Sequence, residues 1–147
     1  ILAIGEKHGG AGEAAAQIFA SGKTAKEIVA SKKIVPGFGH KIYKDADPRV
    51  AALYKKAKKL KLSCKYFDLA CEIEKELASQ KNKKLPLNID GALAAGMLEL
   101  KLDPRLGKAI FLIARIVGMS AHVLEEMQQG NSYYRLEEGD VINKPVA

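Results

Sequence analysis

Aromatic side chains make up only 6% of this 147-residue sequence, and tryptophan is absent. That shortage bears on the charge pattern, a formal net charge of +7 concentrated in two lysine runs. Lys55, Lys56, Lys58, Lys59, Lys61 and Lys65 form one run, and Lys81, Lys83 and Lys84 the other. Clusters of this kind attract anionic partners, nucleic acid or a phosphate-bearing molecule among them. Single-strand binding also wants aromatic or arginine side chains between the lysines. Only Tyr54 and Tyr66 stand near the first run, and no arginine falls within it. A basic helical module for nucleic acid is thus the weaker reading, and a solvated lysine face the stronger.

Cysteine is equally sparse. Cys64 and Cys71 lie seven apart on what reads as one helical stretch, which is no metal spacing and a poor disulfide geometry. The expectation is two reduced structural thiols, no metal and a cytoplasmic setting. No apolar run approaches the roughly 18 residues of a membrane span, and no signal-type segment opens the chain, so no membrane partner is expected. Low-complexity linkers, internal repeats and alternating strand patterns are also missing. What remains, 48% hydrophobic and 28% charged residues over about one domain's length, is a globular mixture. The first residue is Ile1 rather than Met, so the chain reads as a fragment of a longer protein.

The pattern that is present is helical. Residues 12–20 are alanine-rich, and Thr24 with Glu27 makes a capping box for a short helix to about Lys32. Asp47 as N-cap and Pro48 at the first helical position open the next helix. There Val50, Leu53, Tyr54, Ala57 and Leu60 recur at three- and four-residue spacing, with the lysines opposite. A second amphipathic helix runs from Phe67 to Leu77, and a third, apolar one starts near Asp90 after the break at Pro86. Asp103-Pro104 repeats the cap-and-proline device before a long stretch to about Gln129. Residues 131–147 lack periodicity and read as a tail. The fold class is all-α, with orthogonal helix pairs joined by glycine-rich loops.

Two short motifs fail on inspection. "SGKT" at Ser21 to Thr24 lacks the glycine a phosphate loop needs five residues before Gly22, where Gln17 sits. "GAGEAA" from Gly10 fits a relaxed dinucleotide fingerprint, but no second strand ending in an acid follows it. The histidines carry more. His122, beside Glu125 and Glu126, reads as packed or capped. His8 precedes Gly9-Gly10, and His40 follows Gly37-Phe38-Gly39. Glycine flanks let a ligand approach the backbone and leave the ring accessible. Asp90, between "LPLNI" and "GALAAGM", either caps its helix or serves as an acid-base group in apolar surroundings. Two histidines and one carboxylate at glycine-marked bends suit carbon-acid chemistry, in which one group moves the proton at carbon while the others hydrogen-bond the oxygens that gain charge.

"HGGA" at His8, "PGFGH" with "DPR" from Pro36 to Arg49, and "NIDGAL" around Asp90 resemble, in order and spacing, the citrate synthase superfamily. The last third, "IFLIARIVGMSAHVLEEM" followed by "YYR", looks most like its citryl-CoA lyase branch, which includes the C-terminal module of ATP citrate lyase. The resemblance implies a citrate synthase-like small domain over residues 1–102. Residues 103–147 would be a C-terminal helix and tail returning to a large domain that this chain lacks. It also implies citryl-CoA cleavage to acetyl-CoA and oxaloacetate, or the citrate synthase condensation with thioester hydrolysis, in a homodimer or higher homo-oligomer, with weak or no activity from the fragment alone.

Carried over residue by residue, the resemblance makes His8, His40 and Asp90 catalytic. His8 would stabilise the enol oxygen of acetyl-CoA. His40 would take the citryl hydroxyl proton in cleavage or donate it in condensation, and Asp90 would move the proton at the methyl carbon. Arg49, Arg115 and Arg135 would bind substrate carboxylates. Coenzyme A would lie along Val35, Pro36, Gly37, Phe38 and Gly39, with Lys44 near a phosphate.

Overall fold

The computed structural model describes residues 4, 5, 8–81 and 84–130. Among them the chain forms α1 (Ala11–Phe19), α2 (Ala25–Ser31), α3 (Pro48–Lys59), α4 (Lys65–Lys81) and α5 (Ile89–Glu99). A 3₁₀ turn (Pro104–Leu106) then leads into α6 (Gly107–Gln129), and among the described residues no strand occurs. The all-α class expected from the sequence is what the chain adopts. It divides into two compact units, Ile1–Ile113 and Ala114–Ala147.

In the first unit α5 is the central element, packing on α1, α3 and α4, while α2 packs on α4. Its sequence, IDGALAAGMLE, is apolar and small on every side, so it is buried nearly all round rather than along one stripe. Small side chains such as Ala92, Ala94 and Ala95, all fully buried, let three neighbours close in on it. Phe19, Phe67, Ile28, Ile73 and Leu77 fill the rest of the core.

The helix ends follow local rules in most places. Thr24 and Glu27 form the expected capping box, and Asp47 accepts from the Arg49 amide with Pro48 at the first position. α3 and α5 end alike, each with Leu-Lys-Leu whose lysine takes a left-handed φ, +55° at Lys61 and +57° at Lys101. In each the second leucine reaches back to the helix, Leu62 N–H to the Ala57 carbonyl at 3.1 Å and Leu102 N–H to the Met97 carbonyl at 3.0 Å. Both are Schellman closures with lysine where glycine is usual.

α4 begins differently. Cys64, ahead of it, is buried with a φ of +61° rather than helical as its spacing to Cys71 suggested. The start is capped from a distance, because the buried Glu99 carboxylate at the end of α5 accepts from the Tyr66 N–H at 2.6 Å and from the Ser63 hydroxyl. α3 meets α4 through Tyr54, which stacks on Phe67 and donates its hydroxyl to Asp68. That hydrogen bond pushes the Tyr54 phenol up to about 12. The lysines of the α3 run are exposed, as a solvated face requires.

The second unit contains the remainder of α6. Ile116, Val117, Val123, Leu124 and Met127 are exposed on it, and so is His122, 3.4 Å from the Glu125 carboxylate, rather than packed. Over Pro104–Gln129 an 18-residue window reaches a mean hydropathy of 1.5 with at most two charges, so by length and composition this helix could cross a membrane. Arg115 and scattered glycine and serine interrupt the apolar run without lowering its average much, so no unbroken apolar stretch of that length signals it in the sequence.

Gly91 is one of the tightly packed points of the first unit. A Cβ there would stand 2.6 Å from both the Gly37 carbonyl oxygen and Leu87 Cδ1. Gly91→Ala is expected to lower unfolding stability by about 3 kcal/mol or more through overpacking. Gly118→Ala, in helical backbone with nothing within 4 Å, is expected to raise it by up to about 1 kcal/mol. Thermal or urea unfolding of the two variants checks this, and equal effects would contradict the packing described.

Candidate active site

The loop from Val35 to Lys44 is fixed against the segment that leads into α5. Gly39 N–H donates to the Pro86 carbonyl at 2.7 Å, Asn88 N–H to the Gly37 carbonyl at 2.9 Å, and the Asn88 side-chain amide to the Gly39 carbonyl at 2.8 Å. Phe38 and Leu87 face each other across this short antiparallel bridge. Gly37 and Gly39 have φ of +89° and +82°, the left-handed region that glycine tolerates. A Cβ on Gly37 would also meet the Gly91 Cα at 2.8 Å. Two segments about fifty residues apart in sequence thus share one backbone ladder, bringing the His40 loop to the start of α5. Val35 is buried beneath it, and Phe38 sits edge-on to Phe19. Within the expected coenzyme loop, the Gly37 and Gly39 carbonyls and the Gly39 N–H are already engaged in this ladder.

His40 follows the bridge. Its Nδ1 accepts from two backbone amides, Ile42 N–H and Tyr43 N–H, each at 3.0 Å. A nitrogen that receives two N–H groups holds no proton of its own, so the neutral ring carries its proton on Nε2. The Tyr43 ring lies against it, centroids 4.8 Å apart, and the Lys44 ammonium donates to the His40 carbonyl at 3.2 Å. Arg49 Nη2 stands 3.3 Å from His40 Nε2. With both atoms bearing hydrogens, this is an approach of two donors, which an oxygen acceptor placed between them would relieve. The sequence-based expectation that His40 takes a proton from a hydroxyl does not fit this tautomer, because Nε2 has no lone pair to receive one.

Arg49 is held by Asp47. The buried carboxylate accepts from Arg49 Nε at 2.9 Å and Nη2 at 2.7 Å, and also from the Ile89 N–H at 3.1 Å. The Asp47 hydrogen bond is the main cause that raises the Arg49 pKa further, with the charge of Asp90 a lesser contribution. The same hydrogen bonds hold the Asp47 carboxyl below its usual range against the opposing effect of burial. A depressed carboxylate stabilises the fold above its unfolded pKa of about 3.9, and that stability is lost as pH falls through the lower folded value.

Asp90 is the second residue of α5, half-buried, and it is not the cap. Asn88 is, its side-chain oxygen accepting from the Asp90 N–H at 3.0 Å and the Gly91 N–H at 3.2 Å. Of the two readings left open by the sequence, capping is excluded for Asp90. The signal missed was an asparagine two residues earlier. His8 exchanges a pair of backbone hydrogen bonds with Gly5 and is exposed, with its ring edge-on to Phe111 at 5.6 Å. α1, which follows, packs on α5 so closely that a Cβ at Gly12 would be 3.8 Å from the Asp90 carbonyl oxygen. The starts of α1, α3 and α5 therefore converge. His40 and Arg49 are in direct contact, while among the described residues neither His8 nor Asp90 hydrogen-bonds to them. Arg115 is exposed on α6 in the second unit, and Arg135 lies outside the described residues, as does Lys83 of the second lysine run.

Two concavities lie away from this cluster. One of about 610 Å³ is lined by the "GKT" of Gly22 to Thr24 and by Ser63, Lys65, Asp68 and Glu72, where opposite charges balance. The other, about 220 Å³, is an apolar groove between α3 and α5. Among the described residues no group of three or more His, Cys, Asp and Glu is placed to hold a metal.

An all-helical domain that gathers histidine, arginine and carboxylate at converging helix starts is the class that fold and site define. Residues 3–137 match the family described as citrate synthase, C-terminal domain, and the chain belongs to that family. It is similar to citryl-CoA lyase from Hydrogenobacter thermophilus, with 37% identity and a TM-score of 0.85 over 99% of this chain and 60% of that one. ATP citrate lyase from Methanothrix soehngenii, solved with citrate and coenzyme A, has 26% identity and a TM-score of 0.83, covering 99% of this chain and 27% of that one. 2-Methylcitrate synthase from Shewanella oneidensis is 32% identical over 136 residues, 83% of this chain and 35% of that protein. The chain therefore spans only part of each relative.

Asn88→Ala is expected to cost about 1–2 kcal/mol of stability through the lost cap and the lost bond to Gly39. Asp90→Asn is expected to cost no more than the roughly 0.3–1 kcal/mol that a first-turn charge is worth. Chemical unfolding of both variants measures the difference, and the reverse order would make Asp90 the structural residue.

Proposed function

We propose that this chain carries the catalytic half of a citryl-CoA lyase-type site, which cleaves citryl-CoA to acetyl-CoA and oxaloacetate. The observation that carries the reading is the pair of donors formed by His40 Nε2 and Arg49 Nη2, 3.3 Å apart, which asks for an anionic oxygen between them. The likeness to citryl-CoA lyase over nearly the whole chain supports the cleavage direction. The likeness to 2-methylcitrate synthase favours, as the second reading, condensation of acetyl-CoA with oxaloacetate followed by thioester hydrolysis.

In cleavage, the bond between the carbinol carbon and the methylene beside the thioester breaks. The hydroxyl oxygen becomes the ketone of oxaloacetate and gives up one proton. The methylene carbon keeps the electron pair and gains one, so a single carrier closes the proton count. Asp90 is that carrier, taking the proton as the hydroxyl ionises and returning it to the enol carbon. His40 donates through Nε2–H to the oxygen, and Arg49 holds it and a neighbouring carboxylate. His8 donates to the thioester oxygen of the enol. Arg115 and Arg135 belong to the same proposal as further carboxylate ligands, and Lys44 with the Val35–Gly39 loop as the coenzyme site. A homo-oligomer and a cytoplasmic setting complete it, with both cysteines free and α6 offering exposed apolar residues to a partner.

Incubation of the chain with citryl-CoA, followed by chromatography of the thioesters, tests the reading. Acetyl-CoA and oxaloacetate without free coenzyme A are expected, slowed about 10²–10⁴-fold by Asp90→Asn. Release of free coenzyme A and citrate would assign the synthase reading instead, and turnover indifferent to Asp90→Asn would overturn the role of that residue.

A further inference from the structure

Two Asp-Pro-Arg triplets occur in this chain, at 47–49 and 103–105. Each folds into the same chelate. In the second, Asp103 accepts from the Arg105 backbone N–H at 2.9 Å, from Nε at 2.9 Å and from Nη2. In the first, Asp47 accepts from the Arg49 backbone N–H at 3.1 Å, from Nε at 2.9 Å and from Nη2 at 2.7 Å. The chelate is thus a local property of the triplet, and what distinguishes the two lies outside it. The Asp103 side chain is 43% exposed and, among the described residues, bonds only within its own triplet. The Asp47 side chain is fully buried, and its Oδ2 also accepts from the Ile89 N–H, the residue before Asp90.

We propose that Asp47 is the positioning residue of this site. It fixes the Arg49 guanidinium side-on through Nε and Nη2, so that the Nη1 edge and the remaining Nη2 hydrogen face outward beside His40. Through Ile89 it also registers the start of α5, and with it Asp90, against the same arginine. A half-exposed arginine without such a partner would spread over several rotamers, and a bidentate carboxylate clamp would lose its orientation. One buried carboxylate therefore sets both the carboxylate clamp and the place of the acid-base group. The inference rests on the reading that Arg49 holds a substrate carboxylate.

Calorimetric titration of the chain with oxaloacetate and, separately, with coenzyme A tests it, using Asp47→Asn beside Asp103→Asn. Asp47→Asn is expected to weaken oxaloacetate at least tenfold while leaving coenzyme A within twofold, and Asp103→Asn to change neither. In the unsubstituted chain, exchange of the Arg49 Nε–H with water, followed by NMR, is expected to be at least tenfold slower than that of Arg105. This arm decides the matter even if Asp47→Asn does not fold. Oxaloacetate binding unmoved by Asp47→Asn, or equal exchange at the two arginines, would overturn the positioning role. If the unsubstituted chain binds no oxaloacetate, the substrate reading fails for this chain, and the exchange rates alone then judge whether Asp47 holds Arg49.

Discussion

The backbone contact between Gly37 and Gly91 is the constraint on which the site depends. Neither position has room for a Cβ, since each glycine stands where the other's would go. Because the chains touch there, the loop carrying His40 can form hydrogen bonds with the segment that starts α5, and α5 can be the helix on which α1, α3 and α4 all pack. The site is therefore an extension of the core rather than an attachment to it. A loop fixed on both sides holds its histidine with little conformational freedom left to lose on binding, which is the physical meaning of preorganisation.

Within that frame the electrostatics are arranged around donors. Two backbone amides occupy His40 Nδ1, leaving Nε2–H as the ring's outward group, and Arg49 adds a second donor beside it. Buried Asp47 supplies the compensating negative charge from behind, where it orients the arginine without occupying the outward edge. The exposed Asp103–Arg105 pair has the same bond pattern, but among the described residues its carboxylate bonds to no second helix. Its carboxyl is lowered to about 2, the Arg105 side chain being the main cause, so the local chelate alone strongly favours the charged form.

Much of this was legible in the sequence because the devices are local. The Thr24 and Glu27 capping box, the Asp47-Pro48 and Asp103-Pro104 starts and the periodic face of α3 all depend on residues within a few positions of one another. The three ordered motifs pointed to the family for the same reason, as compact strings of glycine, histidine and acid. What escaped were contacts set by tertiary structure. Glu99 caps α4 from the far end of α5, a pairing thirty-three residues apart that no window contains. Asn88 takes the cap that Asp90 could have filled, and Lys61 and Lys101 adopt a backbone conformation that sequence would assign to glycine. The His40 tautomer depends on where two amides point, and His122 is exposed although its helix is apolar in sequence.

The proposed chemistry depends on His40 acting as a donor. Nitrogen-15 NMR of the chain labelled in its histidine rings, with His40 assigned by His40→Gln, reads the tautomer directly. The expected result is a neutral ring with Nδ1 unprotonated and accepting hydrogen bonds while Nε2 carries the proton. A ring protonated on Nδ1, with a free lone pair on Nε2, would rule out His40 as the donor and return it to the role of proton acceptor.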